Sequence, residues 1–255
     1  MKPINPSAEI LVPRVFGRVS NIVCGMSTRR GGVSPDPLGM NMSYSVGDDV
    51  ANVRQNRAFM FGSIGRRESD IAFAGQCHSA TVVIVDHPGM YPECDALVSA
   101  APNVVLAVSV ADCSPVLLCD PRRKVVASVH SGWRGTHQRI VANAVRCMER
   151  EFGSLPTDLL AYIGPCAGPC CYSVGPEVSS LFDEVVIRRI EEKTNLNLTL
   201  ENRRQLQSAG LSAGNIEADG RCTICGPELF HSFRRDGRKS GRMLAFIGLT
   251  QDGDR

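Results

Sequence analysis

Short β-branched or aliphatic runs crowd the middle of the chain, at residues 71–74, 81–85, 104–110, 116–119 and 124–129. Runs of this kind favour extended backbone packed into a sheet. Five of them within so short a stretch make the core sheet-rich. Residues 21–27 add a strand before the glycine-rich loop Thr28-Arg29-Arg30-Gly31-Gly32-Val33-Ser34, and residues 159–163 and 243–249 return as strands. Helices are expected between and after them. Asp48 or Asp49 caps a helix running to about Gly62, with Val50, Val53 and Phe61 on its buried face and Asn56 and Arg57 in its middle. From Thr136, apolar residues recur at helical spacing (Ile140, Val141, Ala144, Val145, Met148, Phe152). Residues 177–190 and 201–209 also read as helices, the second closed by Gly210. The fold class is α/β (α+β), with mixed β-sheets flanked by helices in a single domain spanning 1–255.

At 255 residues, 43% hydrophobic and 21% charged, the chain can bury a large core. Its 28 basic and 26 acidic residues are interspersed, for a net charge of +2. That balance gives no electrostatic footprint for nucleic acid or an acidic membrane. The expected partner is a small molecule, with the chain a monomer or weak homo-oligomer. No apolar run approaches the roughly 20 residues that span a bilayer. Cysteines number 11, an odd count, and the opening Met-Lys-Pro-Ile-Asn-Pro lacks the apolar stretch of a secretory signal. Reduced thiols in the cytoplasm are therefore expected.

Three strand-like runs are interrupted or closed by a polar, metal-competent residue: Gly75-Gln76-Cys77-His78-Ser79, Ala111-Asp112-Cys113-Ser114-Pro115 and Val129-His130-Ser131-Gly132-Trp133-Arg134-Gly135. A strand that ends in a ligand presents it on a rigid scaffold, so His78, Cys113 and His130 are candidates to converge. Two imidazoles and a thiolate suit zinc at about 2.0–2.3 Å in tetrahedral geometry, with copper as the rival. Three protein ligands leave a fourth position for water or substrate, as in a catalytic zinc, and one zinc per chain is expected. Spacing adds little, because gaps of 35 and 17 residues match no short zinc motif, and satisfied core His and Cys are the ordinary reading of such residues. The third segment also joins a strand to a helix start, where free N–H groups, from Gly132 onward, can hold an anion. Arg134 can add a bidentate phosphate contact and Trp133 an aromatic wall. A tight turn around a packed indole accounts for the same residues.

Taken together the segments resemble the laccase-domain, YfiH-type ("multicopper polyphenol oxidase") family of zinc-dependent purine nucleoside phosphorylases. The likeness runs from about Ser27 to Leu249. It rests on Thr28-Arg29 with Gly31-Gly32-Val33-Ser34, Asn41, Gly47-Asp48, Asn56-Arg57, Gln76 with His78, Asp95-Ala96, Ala111-Asp112-Cys113, His130 with Gly132-Trp133-Arg134-Gly135, Arg234-Arg235-Asp236 and Gly241-Arg242-Met243. By that resemblance His78, Cys113 and His130 are the metal ligands. It implies phosphorolysis of adenosine, inosine and S-methyl-5′-thioadenosine, together with adenosine deamination. A true multicopper centre needs many more than the five histidines present. Departures from the pattern are Cys77 before the first ligand, His231 where a Phe is favoured, and the thiol-rich segment Cys166-Ala167-Gly168-Pro169-Cys170-Cys171. Cys77 is expected on the opposite strand face from His78, and His231 is expected to alter the substrate pocket.

For these reactions Asp112 is a candidate to move protons, with ligand positioning or an Asx turn as its competing role. Arg57 and Arg134 are candidates for the phosphate, and Ser34 and Asn41 for the ribose hydroxyls. Three other readings use the same chain. One is a copper polyphenol oxidase, and one a cysteine hydrolase or deamidase in which a histidine activates Cys113. The third is a structural zinc knuckle built from Cys222-x-x-Cys225 and two of Cys166, Cys170 and Cys171.

Overall fold

A computed structural model describes residues 8–251; the amino-terminal Met-Lys-Pro-Ile-Asn-Pro lies outside them. In chain order the first half contains β1 (Ile10–Leu11), β2 (Ile22–Ser27), α1 (Val50–Ser63), β3 (Ile71–Ala74), β4 (Val82–Ile84), β5 (Gly89–Tyr91), β6 (Ala96–Ser99), β7 (Val105–Val110) and β8 (Ser114–Asp120). There follow β9 (Val125–Ser131), α2 (Trp133–His137), α3 (Ile140–Phe152), β10 (Leu160–Ile163), α4 (Pro176–Ser179), β11 (Ile187–Ile190), β12 (Lys193–Leu196), α5 (Leu198–Ser208), β13 (Ile216–Ala218), α6 (Phe233–Asp236) and β14 (Met243–Leu249).

The strands form two six-stranded mixed sheets, ordered β1-β2-β14-β7-β3-β5 and β13-β10-β8-β9-β6-β4, and a separate β11-β12 hairpin. In the first sheet β14 pairs antiparallel with β7 from Met243 opposite Val110, while β3 runs parallel to β7. In the second, β8 and β9 pair antiparallel with Pro115 opposite His130. Alternation along each strand then dictates the layers. Leu106, Val108, Ala245 and Ile247 of the first sheet pack against Leu117 and Val126 of the second. Their neighbours Val105, Ala107, Leu244 and Phe246 face α1 through Met60 and Phe61. On the far side Val116, Leu118, Ala127 and Val129 meet Ile140, Val141, Ala144 and Met148 of α3. The outcome is a helix–sheet–sheet–helix sandwich whose central strands are buried on both faces, which is why their sequences read as unbroken apolar runs. Each Val, Leu, Ile, Met or Phe among them contributes about 1.5–3 kcal/mol by leaving water.

Asp49 caps α1, its carboxylate accepting from the Ala51 N–H at 2.7 Å. Val53 and Phe61 are buried as expected, but Val50 is 53% exposed. The helix expected from Thr136 is two helices: α2 begins at Trp133, and Arg139 in left-handed backbone (φ 62°) separates it from α3. The expected helix over 177–190 is overturned. Pro176 starts α4, which ends at Ser179; Val185 is 59% exposed, and the β-branched stretch after it pairs as β11 with β12 across a turn with Glu191 at φ 53°. No helix among the described residues is long and apolar enough to cross a membrane.

Candidate functional site

Parallel β3 and β7 open their carboxyl ends at one edge of the first sheet, and the chain crosses from β7 to β8 through Ala111-Asp112-Cys113. Because β8 and β9 are antiparallel, the end of β9 lies beside the start of β8. The three segments that carry His78, Cys113 and His130 therefore meet where the two sheets come together. Gln76 extends the β3–β7 ladder with its side chain: Oε1 accepts from the Ser109 N–H at 2.7 Å, and Nε2 donates to the Ser109 carbonyl at 2.7 Å. Gln76, His78 and Asp112 all have left-handed backbone (φ 51°, 62° and 89°). Such conformations cost on the order of 1–3 kcal/mol each and persist only where surrounding contacts hold them.

The donor atoms of His78, Cys113 and His130 lie within 4.8 Å of one another. Cys113 Sγ is 3.9 Å from His78 Nε2, and the two imidazole rings cross at 81° with centroids 5.0 Å apart. Gly132 allows this approach, since a Cβ there would stand 2.8 Å from Cys113 Sγ and 3.1 Å from His78 Cδ2. Cys77 and His78 occupy a loop and not a strand, so opposite-face geometry does not apply; Cys77 donates its N–H to Asp95.

Asp95 organises this corner. Fully buried, its carboxylate accepts from the N–H groups of Cys77, His78 and Ser79 at 3.1, 3.0 and 2.7 Å, and from the Ser79 hydroxyl at 2.9 Å. The same carboxylate holds His130 Nδ1 at 2.8 Å, which leaves Nε2 for the centre. Burial alone would raise the Asp95 pKa, yet the His130 and Ser79 hydrogen bonds bring it well below the usual carboxylate range. Burial likewise opposes charge on Cys113 and His130, but each favours ionisation of the other. The Cys113 thiol falls to about 6 through His130 and His78, and His130 rises to about 9 through Cys113 and Asp95. Two borderline nitrogens and a readily ionised sulfur, one nitrogen fixed from behind by a carboxylate, fit a zinc-type ion well. Asp95 stood in the sequence only as one of many shared residues. What would have distinguished it is the pairing of β6 with β9, which brings it against His130.

The centre opens into a cavity of about 560 Å³, within the ~300–1,000 Å³ common for small-molecule sites. Four arginines line it, Arg57, Arg134, Arg234 and Arg242, with aromatic walls from Phe73, Trp133, Tyr172 and Phe233. Asp112 is its one acidic lining residue among the described residues, and both of its oxygens are engaged: the Thr223 hydroxyl donates to one and the Arg234 N–H to the other, each at 2.6 Å. Arg57 is buried, stacked between Tyr44 and Phe73, with Nε on the Met42 carbonyl and Nη1 on Glu68. Arg134 is exposed and stacks at 4.4 Å over Trp133.

Ser34 and Asn41 are not brought to the cavity. Both donate to the Asp48 carboxylate, at 2.7 and 2.8 Å, inside a knot closed by Asn56. His231 is also absent from the lining: its ring is buried against Gly241, so it does not shape the pocket surface. Arg234 and Arg242 are the functional candidates that sequence reasoning missed. In the sequence they stand in a run of basic residues that looks like an ordinary solvated turn.

Residues 23–250 match the model of the family described as multi-copper polyphenol oxidoreductase laccase. The chain belongs to this laccase-like YfiH family. Among YfiH relatives, it is 37% identical over 255 residues, 98% of this chain and 94% of the other, to a protein of Deinococcus radiodurans named purine nucleoside phosphorylase. To purine nucleoside phosphorylase YfiH of Escherichia coli it is 32% identical over 250 residues, covering 95% of this chain and 99% of that one. Its fold matches the crystal structure of YfiH from Bacillus licheniformis with a TM-score of 0.87 at 33% identity, over 96% and 97% of the two chains. YlmD from Geobacillus stearothermophilus gives 0.87 at 32%, over 91% and 93%.

Proposed function

We propose that this YfiH-family chain is a zinc-dependent purine nucleoside phosphorylase. Its substrates are adenosine, inosine and S-methyl-5′-thioadenosine with phosphate, and it also deaminates adenosine at the same centre. The observation that carries this reading is the convergence of His78, Cys113 and His130 on the wall of a cavity lined by four arginines and aromatic rings. The names of its relatives point the same way. Zinc is preferred to copper because only two histidines reach the centre. His87 sits in an exposed turn beside Asp86, His137 packs on Phe182, and His231 is enclosed. The eleven free cysteines accord with a reducing, cytoplasmic setting.

In phosphorolysis a phosphate oxygen bonds to ribose C1′ as the C1′–N9 bond breaks, and the purine leaves with the bonding pair and takes up a proton. When bound, the zinc supplies Lewis-acid stabilisation of developing negative charge. Arg134, exposed on α2, takes the phosphate, while Arg57 contributes a fixed positive charge beside it. Trp133 and Tyr172 offer faces to a purine. Asp112, with both oxygens engaged, acts as a positioning residue that ties the β7–β8 crossover to Thr223 and Arg234. Asp95 fixes the tautomer and direction of His130.

The test is to incubate zinc-loaded protein with each nucleoside, with and without phosphate, and to identify the products. Free base and ribose 1-phosphate (or its methylthio analogue) are expected only with phosphate, and inosine from adenosine without it. Inosine as the only product under both conditions would sink the phosphorylase half, and no turnover of any purine would sink both. The thiol of Cys113, drawn down beside His130, also suits a cysteine hydrolase. If protein purified without chelator holds no zinc and iodoacetamide modifies Cys113 rapidly, the zinc mechanism is wrong and the cysteine-nucleophile reading takes its place.

A further inference from the structure

Away from the cavity floor, two loops bring a second set of thiols together. Cys170 and Cys171 lie in the turn after β10, and Cys222 and Cys225 in the loop after β13. Their four Sγ atoms all lie within 4.8 Å of one another. Cys225 is 3.4 Å from Cys170 and 3.0 Å from Cys171. These separations exceed the ~2.05 Å of a disulfide, and small outward movements of the side chains would bring them to the ~3.8 Å edge of a tetrahedron with ~2.3 Å zinc–sulfur arms.

We infer that Cys170, Cys171, Cys222 and Cys225 form a second, structural zinc site of Cys₄ type, separate from the His78–Cys113–His130 centre. Three features favour a four-way centre over one disulfide. Cys225 approaches both members of the 170–171 pair, so a single bridge would strand two thiols of the cluster. The Gly168 N–H donates to Cys222 Sγ at 3.2 Å, and such N–H···S contacts stabilise a ligating thiolate. Gly168 also lets the loops close, since a Cβ there would stand 3.0 Å from Cys222 Cβ and 3.4 Å from Cys170 Sγ. Cys166 is excluded from the set: it is buried, its thiol meets the Thr199 hydroxyl at 3.2 Å, and it is not among the four mutually close thiols. Zinc binding releases the four thiol protons to solvent and leaves no open position, as in a structural centre.

The site ties together two loops that frame the cavity. Tyr172, a cavity wall, follows Cys171, and Thr223, which holds Asp112, follows Cys222. The two loops otherwise join through backbone pairing of Cys166 with Cys222 and the Thr223 N–H on the Cys166 carbonyl. The expectation of one zinc per chain accordingly becomes two.

The experiment is elemental analysis and zinc X-ray absorption on full-length protein purified reduced, without chelator, from zinc-supplemented culture. Wild type is expected to carry two zinc ions per chain, and Cys225→Ser and His78→Ala one each. The zinc remaining in His78→Ala should show four sulfur neighbours at about 2.3 Å. Should Cys225→Ser not fold, the His78→Ala spectrum carries the test alone. Wild type with a single zinc that disappears in His78→Ala would overturn the site, as would iron in place of the second zinc. So would a Cys171–Cys225 disulfide found by mass spectrometry of the unreduced protein.

Discussion

His231 has a buried ring with neither nitrogen hydrogen-bonded among the described residues. Burial, reinforced by the charges of Arg29 and Arg242 and only partly opposed by Asp236, lowers its pKa to about 3. The unfolded chain takes up this proton near pH 6.5. Between these values the unfolded state binds a proton that the native state does not, so native stability falls as pH drops through that window, by about 1.4 kcal/mol per pH unit. His231→Phe removes the liability and keeps a flat ring against Gly241. Relative to wild type, the variant should gain about 2 kcal/mol between pH 7.5 and pH 5, measured by denaturant unfolding at both. An unchanged difference would show that His231 is not held neutral. Gly132 isolates a second single-residue effect. Its backbone (φ −75°, ψ 172°) suits any residue, so Gly132→Ala acts only through the Cβ aimed at Cys113 and His78. Zinc affinity should fall at least about tenfold, and the melting temperature of the zinc-loaded protein should fall with it. Tight zinc binding in this variant, by competition with a chromophoric chelator, would mean the three ligands meet elsewhere.

Elements were legible in the sequence where burial is two-sided or strictly one-sided. β7, β8, β9 and β14 read as apolar runs because both faces are covered, and α3 because one face packs on the second sheet. The error at 177–190 arose because Val178, Leu181, Phe182, Val185 and Val186 fit a helical period. The partner that makes β11 a strand, Lys193–Leu196, lies beyond that window. The loop carrying His78 was legible as a polar break in an apolar run, but its anchorage was not, since Gln76 and Ser109 meet only through the parallel pairing of β3 with β7. Gln76→Ala leaves the Ser109 N–H and carbonyl without their partner at the end of the ladder. A loss of about 2 kcal/mol in unfolding free energy is expected. Weaker zinc binding should accompany it, because the left-handed backbone at Gln76 and His78 loses its support. Equal loss of stability with zinc affinity unchanged would separate the ladder from the metal loop.

Over the whole molecule, a net charge of +2 conceals a concentrated positive field. Arg57, Arg134, Arg234 and Arg242 come from α1, α2, α6 and the approach to β14, segments spread between positions 57 and 242, and meet around one cavity. The candidate triad could be read from residue chemistry and family likeness, and Arg57 and Arg134 were expected near an anion, but the arrival of Arg234 and Arg242 at the same cavity depends on topology. The four cations are not equivalent. Arg57 is stacked between two rings and paired with Glu68, Arg234 donates to the Ser173 carbonyl, and Arg242 donates to the carbonyls of Ser240 and Gly241. Arg134 carries its guanidinium over Trp133 at the exposed rim, where it is available to an incoming anion. A charge-assisted hydrogen bond to phosphate contributes about 1.5–3 kcal/mol. Arg134→Ala should therefore raise the KM for phosphate by roughly 10- to 150-fold, while the KM for inosine moves less than about threefold because purine and ribose do not depend on that charge. Initial rates over a phosphate series at fixed inosine and constant ionic strength measure both. An equal rise in the two constants would mean that Arg134 serves the site through Trp133, and an unchanged phosphate constant would move the anion to Arg57, Arg234 or Arg242.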